Sequence, residues 1–133
     1  MNSFNQIILI DDNYATNFYH EIVISDYGEV LDQKFFSSTV EALAYFKQIE
    51  KESPQRLPEV IFLDINLPEM TGWEFLEEFK NLDLDPIPTV IMLSTSINPI
   101  DKIKADENPL VLELTNKPLT TEYLANLKSK MLV

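Results

Sequence analysis

The 133-residue sequence contains no cysteine. That excludes a disulfide framework and any thiolate metal site. Basic residues are scarce, with 10 Lys and Arg against 22 Asp and Glu, for a net charge of -12. Such a balance argues against direct nucleic-acid binding, which needs cationic side chains to neutralise phosphates, and against anionic membrane surfaces. Cations and basic protein partners fit it better. No apolar run approaches the ~18 residues that a membrane helix needs. The N-terminus lacks the basic start and long apolar stretch of a signal peptide, so the expected location is the cytoplasm.

What is present is enough apolar material for one core, at 45% of the residues, in a chain of one domain's length. Three short runs, Ile7–Ile10, Val60–Leu63 and Val90–Leu93, are apolar on both faces. Parallel strands covered by helices on both sides have this character. Weaker strand candidates are Val30–Phe36 and Leu110–Leu114. Helical patterns lie between them. The first carries Ala15, Phe18, Tyr19, Ile22 and Val23 at helix spacing. The second carries Val40, Leu43, Ala44 and the stem of Lys47, with Ser38 to Glu41 as a capping-box spacing. The third starts at Thr71 to Glu74 and places Gly72, Phe75, Leu76 and Phe79 on one face. Asn98-Pro99 begins a short charged helix reaching about residue 107, and Leu124, Leu127 and Met131 mark the last. Five strand–helix repeats with right-handed crossovers predict a doubly wound α/β domain with a five-stranded parallel sheet, one domain over residues 1–133 without an output domain.

Sites in such sheets lie beyond the carboxyl ends of the strands. The first strand ends in Asp11 and Asp12, the third in Asp64, the fourth in Ser94, and the fifth runs out near Lys117. Three carboxylates, a hydroxyl and an ammonium are thus expected at one edge. At ~4 Å and an effective dielectric near 20, each carboxylate pair repels by about 4 kcal/mol. Lys117 supplies one compensating charge and a divalent cation would supply two. The available ligands are oxygens, which selects a hard ion, Mg²⁺ in a cell. The Asp11-Asp12 pair alone has a second reading, a turn that caps a helix. A carboxylate that ends the fully apolar "VIFL" is poorly explained by capping, and this favours the cation site. Beside Mg²⁺, Asp64 can attack a phosphoryl group and form an aspartyl phosphate, with Ser94 placed to donate to a phosphoryl oxygen.

These residues resemble the receiver domain of two-component response regulators, across "IILIDDN", "VIFLDINLPEMTGWEFL", "TVIMLST" and "TNKPLT". The resemblance implies a flavodoxin-like (βα)5 fold with strand order 2-1-3-4-5. It implies that Asp64 is the phosphoacceptor, and that Asp12, Asp64 and the Asn66 carbonyl bind Mg²⁺ directly, with Asp11 acting through water. Ser94 would be the switch hydroxyl and Thr95 the small residue after it. Lys117 would contact a phosphoryl oxygen, next to a cis bond to Pro118. Asn66 and Ser96 occupy positions that in the family tune how fast the phosphoryl group is lost. The donor would be a phosphohistidine on a sensor histidine kinase or a histidine phosphotransfer protein. The output would be contact with a downstream protein or onward phosphotransfer. Leu114 departs from the pattern, since Tyr or Phe often stands three residues before the lysine.

Two other functions compete. Haloacid-dehalogenase-type phosphatases also combine Asp, Mg²⁺, a hydroxyl and a lysine, but their D-x-D-x-T spacing is missing from "DDNYAT". A degenerate receiver would bind partners without accepting phosphate, and Leu114 speaks for it. Signalling without steady enzymatic turnover is the expected activity. His20 is expected at the surface or facing a partner, beside a core-facing Tyr19. Trp73 is expected to pack near the site, and "EFLEEFKNLDLD" to form a solvated face. Tyr123 fits either an exposed partner face or half-buried packing.

Overall fold

A computed structural model describes residues 3–52 and 57–131. The outermost two residues at each end of the expected domain lie outside the described residues. Strands and helices alternate without exception: β1 (Phe4–Ile10), α1 (Tyr14–Tyr27), β2 (Val30–Phe36), α2 (Thr39–Glu52), β3 (Val60–Asp64), α3 (Gly72–Phe79), β4 (Thr89–Ser94), α4 (Pro99–Glu107), β5 (Val111–Asn116) and α5 (Thr121–Met131). The five strands are parallel and lie in the order β2-β1-β3-β4-β5. This is the flavodoxin-like arrangement expected from the sequence.

The continuous apolar runs follow from two cores, one on each sheet face. Ile8, Ile10, Ile61, Leu63, Val90 and Met92 meet Phe46 of α2, Phe75 and Phe79 of α3, and Ala105 of α4. The alternate residues Ile7, Leu9, Phe62, Ile91 and Leu93 meet Val23 and Ile24 of α1 and Leu124 and Leu127 of α5. Side chains alternate across a strand, so a strand covered on both faces is apolar at every position. All five residues of β3, Asp64 included, are buried.

Local signals set the helix starts. Thr71 and Glu74 form the capping box before α3, Asn98 accepts from Ile100 N–H with Pro99 as the first helical residue, and the Ser38 hydroxyl accepts from Val40 and Glu41. A β-bulge shifts the β4–β5 register between Val90 and Ile91, which lets Val111 and Leu114 both enter the α2–α4 core.

Two helix faces differ from expectation. α1 buries His20, Val23 and Ile24, while Phe18, Tyr19 and Ile22 stay 48–58% exposed. α2 buries Thr39, Ala42, Leu43, Phe46 and Ile49, and Val40, Ala44 and Lys47 face outward. Each helix carries two overlapping stripes at helical spacing. In α2 the stripe bearing Phe46 and Ile49 removes the larger apolar area from water, and it faces the core.

Candidate functional site

The strand tips converge as the topology requires. Asp11 follows β1 directly, and its N–H donates to the Phe36 carbonyl at 3.0 Å, which ties it to the end of β2. Asp64 is the last residue of β3, Ser94 the last of β4, and Lys117 follows β5. The Lys117 N–H donates to the Ser94 carbonyl at 2.9 Å. The Lys117–Pro118 bond is cis, as expected.

Lys117 bridges the acids. Its Nζ lies 2.5 Å from Asp11 Oδ2 and 3.2 Å from Asp64 Oδ2. Asp11 Oδ1 accepts from Asn13 N–H at 2.9 Å, and Asp64 Oδ1 from Asn66 N–H at 3.4 Å. Asp11 and Asp64 are buried and Asp12 is exposed. Oxygens of Asp11, Asp12 and Asp64 all lie within 4.8 Å of one another.

Their surroundings push Asp64 and Lys117 in the same direction, both upward. Burial and then the Asp11 charge push the Asp64 carboxyl above the usual carboxylate range, while Lys117 and the Asn66 N–H partly oppose them. Burial alone would lower the Lys117 ammonium, but the Asp11 hydrogen bond and the Asp11 and Asp64 charges outweigh it and raise the group. Three carboxylates against one ammonium leave the cluster short of positive charge. The three carboxylates bring oxygens within 4.8 Å of one another, close enough to be served by one ion. The donor set is all oxygen, so residues and spacing fit a hard divalent ion.

Not all of the other expected residues join this cluster. Ser94 is buried. Its hydroxyl donates to the Ser96 carbonyl at 2.8 Å and accepts from Ser96 N–H at 3.1 Å, so its bonds go to its own loop. Thr95, Lys117 and Pro118 line a groove of about 380 Å³ together with Ala15, Thr16 and Tyr19 of α1. Leu114 is not brought to the cluster, because its side chain packs in the α2–α4 core. Trp73 turns toward α4, where its indole N–H donates to Asp101 Oδ1 at 3.0 Å and Lys104 lies over the ring. Tyr123 is half-buried, its hydroxyl bonded to Glu113. Burial and that carboxylate hold the phenol well above its ordinary range.

Three supporting residues were not singled out for the site from the sequence. Gly72 packs so close that a Cβ there would lie 2.6 Å from the Asp64 carbonyl oxygen. Thr39, fully buried, donates to the Met70 carbonyl at 2.6 Å and ties α2 to the β3–α3 loop. In that loop Met70 N–H reaches back to the Pro68 carbonyl, with Glu69 at a φ of 67°, a strained γ-turn conformation. The third is His20. Expected at the surface, it is fully buried and accepts from Leu119 N–H at 3.0 Å. Its spacing to Val23, Ile24 and Tyr27 was the available signal, masked by the rival stripe of Phe18 and Ile22.

Comparison with known proteins agrees with this geometry. Response regulator Rcp1 of Synechocystis is 32% identical over 102 residues, covering 76% of this chain and 69% of that protein. A protein-glutamate methylesterase/protein-glutamine glutaminase of Agrobacterium fabrum is 34% identical over 95 residues, and the match spans only 24% of that enzyme. The crystal structure of a two-component response regulator from Cytophaga hutchinsonii superposes with a TM-score of 0.87 at 31% identity, covering 98% of both chains. A response regulator receiver protein from Dyadobacter fermentans gives 0.82 at 25% identity, covering 95% of this chain and 97% of that one. The response regulator receiver domain family matches residues 7–127, a span that contains every strand tip described above, and the chain belongs to that family.

Proposed function

We propose that this receiver accepts a phosphoryl group on Asp64 from a phosphohistidine of a sensor histidine kinase or a histidine phosphotransfer protein. The observation that carries this reading is the setting of Asp64. Its carboxylate is buried at a strand tip, 3.2 Å from the Lys117 ammonium and within 4.8 Å of two further carboxylates. Asp12, Asp64 and the Asn66 carbonyl would hold Mg²⁺, with Asp11 acting through water. The ion would supply two positive charges against the phosphoryl oxygens.

The chain's own residues do the rest. An Asp64 oxygen attacks phosphorus in line as the phosphorus–nitrogen bond breaks, and the electron pair leaves with the donor's imidazole. Lys117 neutralises charge on a phosphoryl oxygen. The Ser94 hydroxyl leaves Ser96 to donate to another, and the β4–α4 loop moves with it. Thr95 and Ser96 shape that loop, and Pro118 shapes the turn that carries Lys117. With Leu114 packed in the core, the response runs through this loop and not through an inward-turning ring. It biases a pre-existing equilibrium that is read by a downstream protein or by onward phosphotransfer.

The test is intact-mass measurement after incubation with Mg²⁺ and acetyl phosphate. The wild-type chain gains one phosphoryl group, and Asp64→Asn or EDTA abolishes the gain. Undiminished labelling of Asp64→Asn refutes Asp64 as acceptor. No gain with acetyl phosphate or with a phosphorylated histidine donor makes this a phosphorylation-independent binding module. Continuous turnover of a phosphate ester would mark a phosphatase.

A further inference from the structure

The phosphoryl chemistry gives no task to His20, the chain's one histidine. It sits on α1 with no exposed surface. Its Nε2 accepts from Leu119 N–H at 3.0 Å, across 99 residues of sequence. The turn Lys117-Pro118-Leu119 has only two backbone N–H groups, because proline has none. Each is anchored to a different element. Lys117 donates to Ser94 of β4 at 2.9 Å, and Leu119 donates to His20 of α1. The Leu119 side chain is itself buried, in the α1–α5 core.

A packing role alone does not account for histidine. Its Nδ1 is buried without a hydrogen-bond partner among the described residues, a penalty that leucine of similar size would avoid. Nε2 compensates by satisfying a buried N–H that has no other acceptor among the described residues. An acceptor at position 20 therefore fixes where the turn sits, and the turn fixes the root of Lys117. From that root the ammonium reaches both Asp11 and Asp64.

We propose that His20 is a positioning residue. By accepting the Leu119 N–H it holds the Lys117 turn against α1, and so keeps the Lys117 ammonium aligned over the acceptor carboxylate. This rests on the phosphoacceptor reading above.

The experiment compares phosphorylation rates with acetyl phosphate and Mg²⁺ in wild type, His20→Leu, His20→Gln and Val23→Ala. Gln places an acceptor oxygen near the position of Nε2, Leu offers none, and Val23→Ala loosens the same face of α1 while leaving the His20 acceptor for Leu119 N–H in place. A misplacement near 1 Å is costly to in-line chemistry, so His20→Leu is expected to react about tenfold slower, with His20→Gln and Val23→Ala within about twofold of wild type. A wild-type rate in His20→Leu overturns the proposal, as does an equal slowing in His20→Leu and Val23→Ala. A nitrogen–nitrogen coupling across the Leu119–His20 hydrogen bond, measured by NMR on the wild-type chain, is expected and does not depend on any variant folding. Its absence also overturns the proposal. A wild type that takes up no phosphoryl group refutes the phosphoacceptor reading instead, and the coupling then judges the anchor by itself.

Discussion

Replacing Gly72 by alanine adds one methyl group at the first residue of α3. The new Cβ would lie 2.6 Å from the Asp64 carbonyl oxygen, 3.0 Å from Met92 Cε and 3.2 Å from Ile65 Cα. Cβ atoms essentially never come closer than 3.0 Å, so at least 0.4 Å must be found (3.0 less 2.6). Met92 is a flexible side chain and can yield. Asp64 cannot yield easily, because β3 is paired on both edges, to β1 and to β4. The N-terminus of α3 must therefore lift. That weakens the Gly72 N–H bond to the Ile65 carbonyl, now 2.9 Å, and distorts the Thr71 capping box. Overpacking of this kind costs ~1–3 kcal/mol, a weakened buried hydrogen bond adds about 1 kcal/mol, and the better helix propensity of alanine returns at most about 1 kcal/mol. The net expectation is a loss of about 1–3 kcal/mol. Urea titration followed by far-ultraviolet circular dichroism reads it as a lower midpoint at unchanged slope. If Asp64 is the acceptor, as proposed, phosphorylation should also slow, because the lifted helix carries the loop that follows Asp64. A Gly72→Ala chain with wild-type midpoint and wild-type phosphorylation rate would refute the argument that α3 is seated directly on the Asp64 backbone.

Two further outcomes concern charge. In EDTA, Asp12→Asn should melt higher than wild type, because it removes repulsion worth up to about 1 kcal/mol after solvent screening. Its Mg²⁺-dependent rise in Tm should shrink or vanish, and a full wild-type rise would remove Asp12 from the cation site. His20 supplies a pH signature. Burial holds its pKa below the ordinary 6.5, with the Asp11 charge opposing and Lys117 adding to the effect. The unfolded chain thus takes the proton first as pH falls. The contribution is full above about 6.5 and declines below it until the folded histidine also protonates. The His20 contribution to stability should fall as the pH is lowered from about 7.5 to about 5, and His20→Gln should remove that part of the slope. An identical slope in both chains would contradict a neutral buried histidine.

The strand tips were readable in the sequence for a definite reason. Strands buried on both faces are apolar throughout, so a carboxylate following "VIFL" or "IILI" stands out against its background. The capping box at Thr71 and the Asn98-Pro99 start are local chemistry, and both appear where the sequence places them. The faces of α1 and α2 were not readable. Phe18 and Ile22 follow helical spacing as well as His20 and Val23 do, and nothing within fourteen residues of helix distinguishes them. Sheet packing made the choice, and it turned a histidine inward.

The sequence by itself determined the alternation of strands and helices, the chemical character of each strand tip, and the oxygen-only ligand set. These depend on periodicity and on residue type, which are local properties. Tertiary structure decided that Lys117 ties Asp11 to Asp64, that His20 anchors the Lys117 turn, and that Gly72 lets α3 rest on the end of β3. The first two contacts join residues about a hundred positions apart, and the third depends on a gap of one methyl group. Packing sets such distances, and no pattern along the chain encodes them separately.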